Sequence, residues 1–261
     1  MTATEAAPPV PKLEFAPVVQ GVFGVLKRNL ATFVGLAGIL QGLPLLVLVF
    51  GAMAAGSGAP LAAGSMSLGG LLLLVGSLVL TPGLIHGAFT DLSGRKPTIA
   101  ECVRSGLRHA IPVFFIMMCV GVAAAFAALL LIVPAIMLGV AWSVATPARV
   151  VERTGVFASI GRSGELTRGS RWRIFWLFFL WFIVGGAIQQ TLLGLVGMGS
   201  TGAMASATNR LGALASGYGV LALVITVAST LVTYTGLAVI YYELRRLKEG
   251  IGPEALASIF D

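Results

Sequence analysis

The sequence predicts an all-α protein that crosses a membrane six times. The chain has 261 residues, of which 57% are hydrophobic and only 10% charged, and its mean hydropathy is +0.97. Soluble domains carry about a quarter charged residues, so this chain has too few to cover a water-facing surface. Six long apolar stretches and a one-sided distribution of basic residues complete the argument for a membrane protein.

The six apolar stretches supply the predicted crossings. A bilayer-spanning helix needs about 20 apolar residues, and most of the stretches reach that length. They lie at residues 30–55, 68–89, 110–131, 134–150, 174–198 and 217–242.

The third and fourth crossings are separated by an argument from length. Residues 110–150 carry no charge before Arg149, and as one straight helix they would measure about 60 Å. The hydrocarbon core is about 30 Å thick, so the chain must reverse. Pro134 is the predicted place, because proline disfavours helix in the residue before it and suits the first turn of a new helix.

The basic residues test this topology. With six crossings and a cytoplasmic N-terminus, 16 of the 17 Lys and Arg residues lie inside, and only Arg210 lies outside. Merging the third and fourth crossings would send the later basic clusters outside, against the positive-inside rule. The sequence therefore predicts a multi-pass protein with both termini in the cytoplasm. Residues 1–12 and 247–261 are predicted to be cytoplasmic tails, the first disordered, and residues 13–246 the membrane domain.

Three inner segments show the periodicity of amphipathic helices. They begin near Phe15, Ile99 and Val156, and a capping-box pattern of Thr98 and Glu101 precedes the second. Each is predicted to lie in the inner interface and to lead into two crossings, which suggests a threefold repeat of interfacial helix and helical hairpin. Alternatively, any inner amphipathic helix would give this pattern.

The stretch from Pro134 to Phe175 carries a family resemblance. Its features are Val133-Pro134, Trp142-Ser143, Thr146-Pro147, Arg162-Ser163, Leu166-Thr167-Arg168-Gly169 and Trp172. It resembles the membrane domain of the glycerophosphoryl diester phosphodiesterase type and its stand-alone bacterial relatives. The resemblance implies a bacterial inner-membrane protein with several crossings. It does not imply phosphodiesterase activity, since that chemistry belongs to a separate soluble barrel, and we expect none here because only residues 243–261 follow the last crossing.

Catalytic chemistry has few candidates in this sequence. No Asp, Glu, Lys or Arg lies in the middle of a predicted crossing, which argues against an ion-coupled pump. His86 is the only histidine in a predicted crossing, and a hydrogen bond to a neighbouring helix is its simpler interpretation. We expect no enzyme, no cofactor, no metal and no nucleic-acid partner, since the basic residues flank helices and no soluble basic domain is visible.

The densest basic cluster is the candidate binding site. Arginine offers bidentate donors for phosphate, and these residues lie just below the membrane, so they are predicted to bind anionic lipid headgroups. The alternative is a topology determinant with loose lipid contact. The residues are Arg162, Ser163, Arg168, Arg171 and Arg173.

Small residues predict close helix contacts. Gly83 and Gly87 are spaced four apart, as in helix-packing motifs, and we expect them to serve packing within the bundle. The same spacing leaves open a homo-oligomer or a membrane-protein partner.

These features predict a non-enzymatic membrane protein that binds lipids or a membrane partner through its basic cytoplasmic surface. The alternative is a small-solute or lipid transporter with a cavity between the hairpin repeats. A polar, water-filled cavity at the midplane would favour transport. A dry core with lipid-filled grooves would favour binding.

Overall fold

The computed structural model describes residues 13–56, 62–198 and 217–250, and this part of the chain is helical without a β-strand. A short π-helical segment, Gly38–Gly42, joins the first two α-helices. The α-helices are α1 (Phe15–Ala37), α2 (Leu43–Gly56), α3 (Ala62–Leu92), α4 (Ile99–Leu130), α5 (Ile132–Trp142), α6 (Ala145–Glu152), α7 (Val156–Thr167), α8 (Arg171–Met198) and α9 (Gly217–Glu249).

Six helical runs are long and apolar enough to cross a membrane, which confirms the predicted all-α, six-helix fold. They are Phe15–Leu48, Ser67–Leu92, Ile99–Leu129, Val133–Glu152, Arg171–Ile188 and Val224–Glu249. The predicted tail at residues 1–12, most of the second tail and Arg210 lie outside the described residues. The threefold repeat stays a prediction.

The first interfacial segment is continuous with the first crossing. α1 kinks at Asn29 (φ −120°, ψ 20°). The Asn29 amide donates to the Val25 carbonyl over 3.0 Å and to Asp91 Oδ1 over 2.6 Å, so the kink is tied to the end of α3. Arg28 holds the same Asp91 carboxylate through its Nε and Nη2.

The π-helical segment has a local cause in Pro44. Proline has no N–H, and its ring clashes with the carbonyl four residues earlier, which belongs to Leu40. The wider π-helical turn makes room for the Leu40 carbonyl. This carbonyl lies so close to Gly76 of α3 that a Cβ atom at position 76 would collide with it.

α3 is the central helix. Half of the residues in the most apolar 18-residue stretch of α3 are buried, against 6% in the corresponding stretch of α8. It contacts α1, α2, α4, α6 and α9. Its buried side chains include Leu80, Leu84 and Phe89, and the Phe89 ring meets Tyr241 of α9 edge to face. α8 therefore lies at the rim of the bundle.

The predicted reversal occurs between α4 and α5, at Leu131. Leu131 is extended (φ −163°, ψ 138°), and Pro134 lies in the first turn of α5, as its preference for that position predicts. The fourth crossing is itself broken between Trp142 and Ala145. Pro147 explains the break, since it has no N–H to donate to the Ser143 carbonyl.

The ends of the other inner helices follow recognisable caps. The predicted capping box is confirmed: the Thr98 hydroxyl accepts from the Glu101 N–H, and Glu101 Oε2 accepts from the Thr98 N–H. α9 continues to Glu249 and stops at Gly250, whose φ of +65° suits glycine. The helix therefore extends past residue 246 into the first residues of the segment 247–261, which the sequence assigned to the second tail.

Candidate lipid-headgroup site

The predicted basic cluster spans the end of α7, a tight turn and the start of α8. α7 ends where Arg168 leaves the helical conformation (φ −61°, ψ 124°), and Gly169 adopts φ +90°, in the left-handed region that favours glycine. The Ser170 carbonyl then accepts from the N–H groups of Arg173 and Ile174, which starts α8. Across the turn, Arg171 Nη2 lies 3.4 Å from the Gly164 carbonyl of α7.

Ser163 is fully buried and ties two helices together. Its hydroxyl donates to the Ala141 carbonyl over 2.8 Å, and Thr167 donates to the same carbonyl over 3.2 Å. Ala141 lies in the last turn of α5, where carbonyls lack helical donors. The two hydroxyls satisfy that carbonyl, so the Ser163 hydroxyl faces α5 and not the lipid.

Arg162 is the centre of an ion-pair network, which we call the α6–α7–α9 network. Its Nε donates to both oxygens of Glu152, over 3.0 and 3.2 Å, and its Nη2 pairs with Glu249 Oε1. The Tyr241 hydroxyl donates to Glu152 over 2.6 Å, and Arg245 Nε donates to Glu249 over 2.7 Å. The Arg162 side chain is 28% exposed, and a third carboxylate, that of Glu165, lies 3.8 Å from its Nη1.

The remaining three arginines have no carboxylate partner within the described ranges. The Arg168 side chain is exposed and makes no hydrogen bond or ion pair there, while its backbone N–H donates to the Glu165 carbonyl. Arg171 is half-buried, and its Nε is buried without a hydrogen-bond acceptor among the described groups. Arg173 donates one N–H to the Leu13 carbonyl over 2.6 Å, which leaves its other donors available.

Lys248 joins these three arginines from α9. Its ammonium donates to the Glu165 carbonyl at the end of α7, and it lies near the Glu165 carboxylate and near the positive charges of Arg168, Arg162 and Arg171. The sequence assigned Lys248 to the second tail. The signal that could have found it is the heptad-like run Leu244, Leu247 and Lys248, which continues the helix of the last crossing. We call Arg168, Arg171, Arg173 and Lys248 the basic site.

Gly83 and Gly87 lie where α3 meets α1 and α4. A Cβ atom on Gly83 would come within 2.8 Å of the Cys102 carbonyl oxygen. A Cβ atom on Gly87 would lie 2.8 Å from Phe33 Cε1 and 3.0 Å from the Cys102 sulfur. Both glycines therefore face neighbouring helices and not the lipid.

No group of three or more His, Cys, Asp or Glu side chains in the described ranges gathers into a metal site. His86 lies within α3 and His109 within α4, where His109 Nδ1 lies 2.9 Å from the Ser105 carbonyl. Tyr241 and Glu152 are hydrogen-bonded to each other, and both belong to the α6–α7–α9 network.

Two apolar grooves flank the contact between α1 and α9. The α1–α9 groove, of about 450 Å³, is lined by Leu30, Val34 and Gly38 of the first crossing and by Val224 and Ala228 of the last. The α1–α8–α9 groove, of about 240 Å³, is lined by Val18, Val22, Leu177, Trp181, Gly236 and Ile240, among others. Trp181 Nε1 donates to Thr233 Oγ1 over 3.1 Å across the second groove. Nearly all other lining groups are hydrocarbon.

Comparison with known proteins returns no relative: no family model, no curated protein and no solved structure matches the chain.

Proposed function

We propose that this is a non-enzymatic multi-pass protein of the bacterial inner membrane that holds an anionic phospholipid of the inner leaflet at its basic site. The proposal places both termini in the cytoplasm and keeps the resemblance to the glycerophosphoryl diester phosphodiesterase membrane domain. It retains Arg168, Arg171 and Arg173 from the sequence-predicted cluster. Lys248 takes the place of Arg162 and Ser163, whose polar groups have partners inside the protein.

The observation that carries the proposal is the contrast between two sets of arginines. Arg162 pairs with three carboxylates, whereas Arg168 and Arg171 have none in the part of the chain that the structure describes. Positive charges held close together repel one another, and an anion shared between them removes that cost. A lipid phosphate is an anion that the inner leaflet supplies at this depth, and each basic residue near it contributes about 1 kcal/mol.

The grooves favour lipid binding over transport. A transporter needs a polar site near the midplane, where substrate leaves water. The two grooves described above are apolar, and Thr233 and the Trp181 N–H in the smaller one are bonded to each other. Such grooves suit hydrocarbon chains.

The test is the amount of phospholipid that stays bound through purification, measured by native mass spectrometry. We expect R168Q/R171Q to retain about tenfold to thirtyfold less phosphatidylglycerol than the wild type, since two charges contribute about 2 kcal/mol. R168K/R171K distinguishes a specific site from general surface charge. A specific site should lose lipid, because lysine lacks the planar guanidinium that binds phosphate through two N–H groups. General surface charge should retain lipid, because lysine keeps the charge.

The matched control is R104Q/R108Q. Arg104 and Arg108 are exposed arginines of α4, so this variant loses the same charge elsewhere. We expect it to retain lipid as the wild type does. Equal retention by R168Q/R171Q and the wild type would refute the headgroup site, and equal loss in both double variants would reduce it to general surface charge.

A further inference from the structure

The basic site and the α1–α8–α9 groove are consecutive along α8. Leu177, which lines the groove, follows Arg173 by four residues, so both side chains lie on one face of the helix, about 6 Å apart along its axis. On α1, the groove begins at Val18, shortly after Leu13, whose carbonyl accepts from Arg173. A molecule that binds at Arg173 and extends towards the membrane centre therefore enters this groove.

We propose that one acyl chain of the phospholipid held by the basic site lies in the α1–α8–α9 groove, so that the protein recognises headgroup and chain together. This inference rests on the proposed function. The ligand is an anionic diacyl phospholipid whose phosphate lies at the Arg173 side of the basic site and whose chain runs along Leu177, Trp181 and Gly236.

The size of the groove limits what can occupy it. From Leu177 to Val184, the lining of α8 rises about 10 Å, and the space is about 240 Å³. A single hydrocarbon chain is thin enough to enter, and the apolar lining suits it.

Charge selects a phospholipid as the occupant. The inner end of the groove lies beside the Arg173 guanidinium, which has no carboxylate partner in the described residues, and the cytoplasmic leaflet is rich in anionic heads. The α1–α9 groove differs, because Arg28, the arginine nearest to its inner end in sequence, is paired with Asp91 over 2.5 Å. The larger groove therefore serves as an internal control.

The first test fills each groove with one side chain. Val19 and Val34 both lie on α1, are 44% and 45% exposed, and line the smaller and the larger groove, respectively. We expect V19W to retain about tenfold less phosphatidylglycerol in native mass spectrometry. The tryptophan would displace about two methylene groups of the acyl chain from the groove, and their lost burial corresponds to about this factor. V34W should retain as much as the wild type.

The outcomes separate this inference from the proposed function. Loss in R168Q/R171Q with full retention in V19W leaves the headgroup site standing and overturns the chain site. Full retention in R168Q/R171Q overturns the proposed function, whatever V19W does. Equal loss in V19W and V34W overturns the assignment of the chain to the smaller groove.

A second test leaves the groove unfilled, in case V19W does not fold. The chain has four tryptophans, and W142F/W172F/W176F keeps only Trp181, which lines the groove. In nanodiscs, phosphatidylglycerol with brominated chains should quench Trp181 more strongly than brominated phosphatidylcholine at the same mole fraction, and R168Q/R171Q should abolish the difference. Equal quenching by both lipids would mean that the groove holds ordinary boundary lipid and would overturn the proposal.

Discussion

At the scale of single residues, the glycines of α3 determine how closely its neighbours approach. Gly83 lies against the backbone of Cys102, and Gly87 lies against the side chains of Phe33 and Cys102. Backbone cannot move aside as a side chain can, so the two positions differ in tolerance although their spacing is the same. Gly70, on the same helix, has no atom within 4 Å of its Cβ position.

We expect Gly83→Ala to lower thermal stability in detergent by about 1–3 kcal/mol, because its methyl group would overlap the Cys102 carbonyl. Gly70→Ala is the control, and it should be neutral or stabilising by up to about 1 kcal/mol through helix propensity. Thermal unfolding of both variants in one detergent measures the difference. Equal stability of the two variants would contradict the close contact at Gly83.

The residues of the sequence-predicted site show what a sequence pattern can and cannot reveal. The density of arginines near Trp172 is visible in the sequence, and so is their place at a helix end. The partners of Ser163 and Arg162 are not visible, because Ala141 and Glu249 are 22 and 87 positions away and reach them only through the packing of α5 and α9. A charge cluster in a sequence therefore shows where charge lies and not which charges are neutralised.

At the scale of elements, the α6–α7–α9 network holds the last crossing to the short inner helices. Glu152 ends α6, Arg162 lies within α7, and Tyr241 and Glu249 belong to α9. The network lies at the end of the bundle that carries α6 and α7, and its Arg162, Glu152 and Glu249 side chains are only partly exposed. Removing one member leaves the others desolvated and unpaired, which is costly.

We expect Arg162→Gln to reduce the free energy of unfolding by about 2 kcal/mol, between the ranges for surface and buried ion pairs. Arg246→Gln should change it by less than about 0.5 kcal/mol, since Arg246 is 60% exposed and lies 3.7 Å from Glu243. The check is a double-mutant cycle of Arg162→Gln with Glu249→Gln. Strictly additive losses would show that the two side chains do not interact.

Elements whose boundaries depend on local chemistry could be predicted from the sequence. The capping box at Thr98 and the need for a reversal before Pro134 are of this kind. The break after Trp142 also has a local cause in Pro147, but the sequence alone did not reveal it, because the apolar stretch continues unbroken through Ser143. The kink of α1 at Asn29 could not be predicted either, since the Asn29 amide is held by Asp91 of another helix.

At the scale of the whole molecule, contacts gather the predicted inner segments at one end of the bundle. Arg28 meets Asp91, Arg173 meets Leu13, and Lys248 meets Glu165. These contacts join the start of α1, the end of α3, the α7–α8 turn and the end of α9. From the positive-inside rule, we propose that this end of the bundle faces the cytoplasm.

Accessible cysteines can test that orientation. In a protein with Cys102 and Cys119 replaced, Ser57→Cys should react with an impermeant thiol reagent added outside intact cells, whereas Ala100→Cys and Ala158→Cys should react only after permeabilisation. Ala100 and Ala158 are exposed at the inner ends of α4 and α7, whereas Ser159 is fully buried and would stay silent on either side. Labelling of Ala158→Cys from outside would show that the α7–α8 turn and the basic site face the outside of the cell. Phosphates of the inner leaflet could then not reach the basic site.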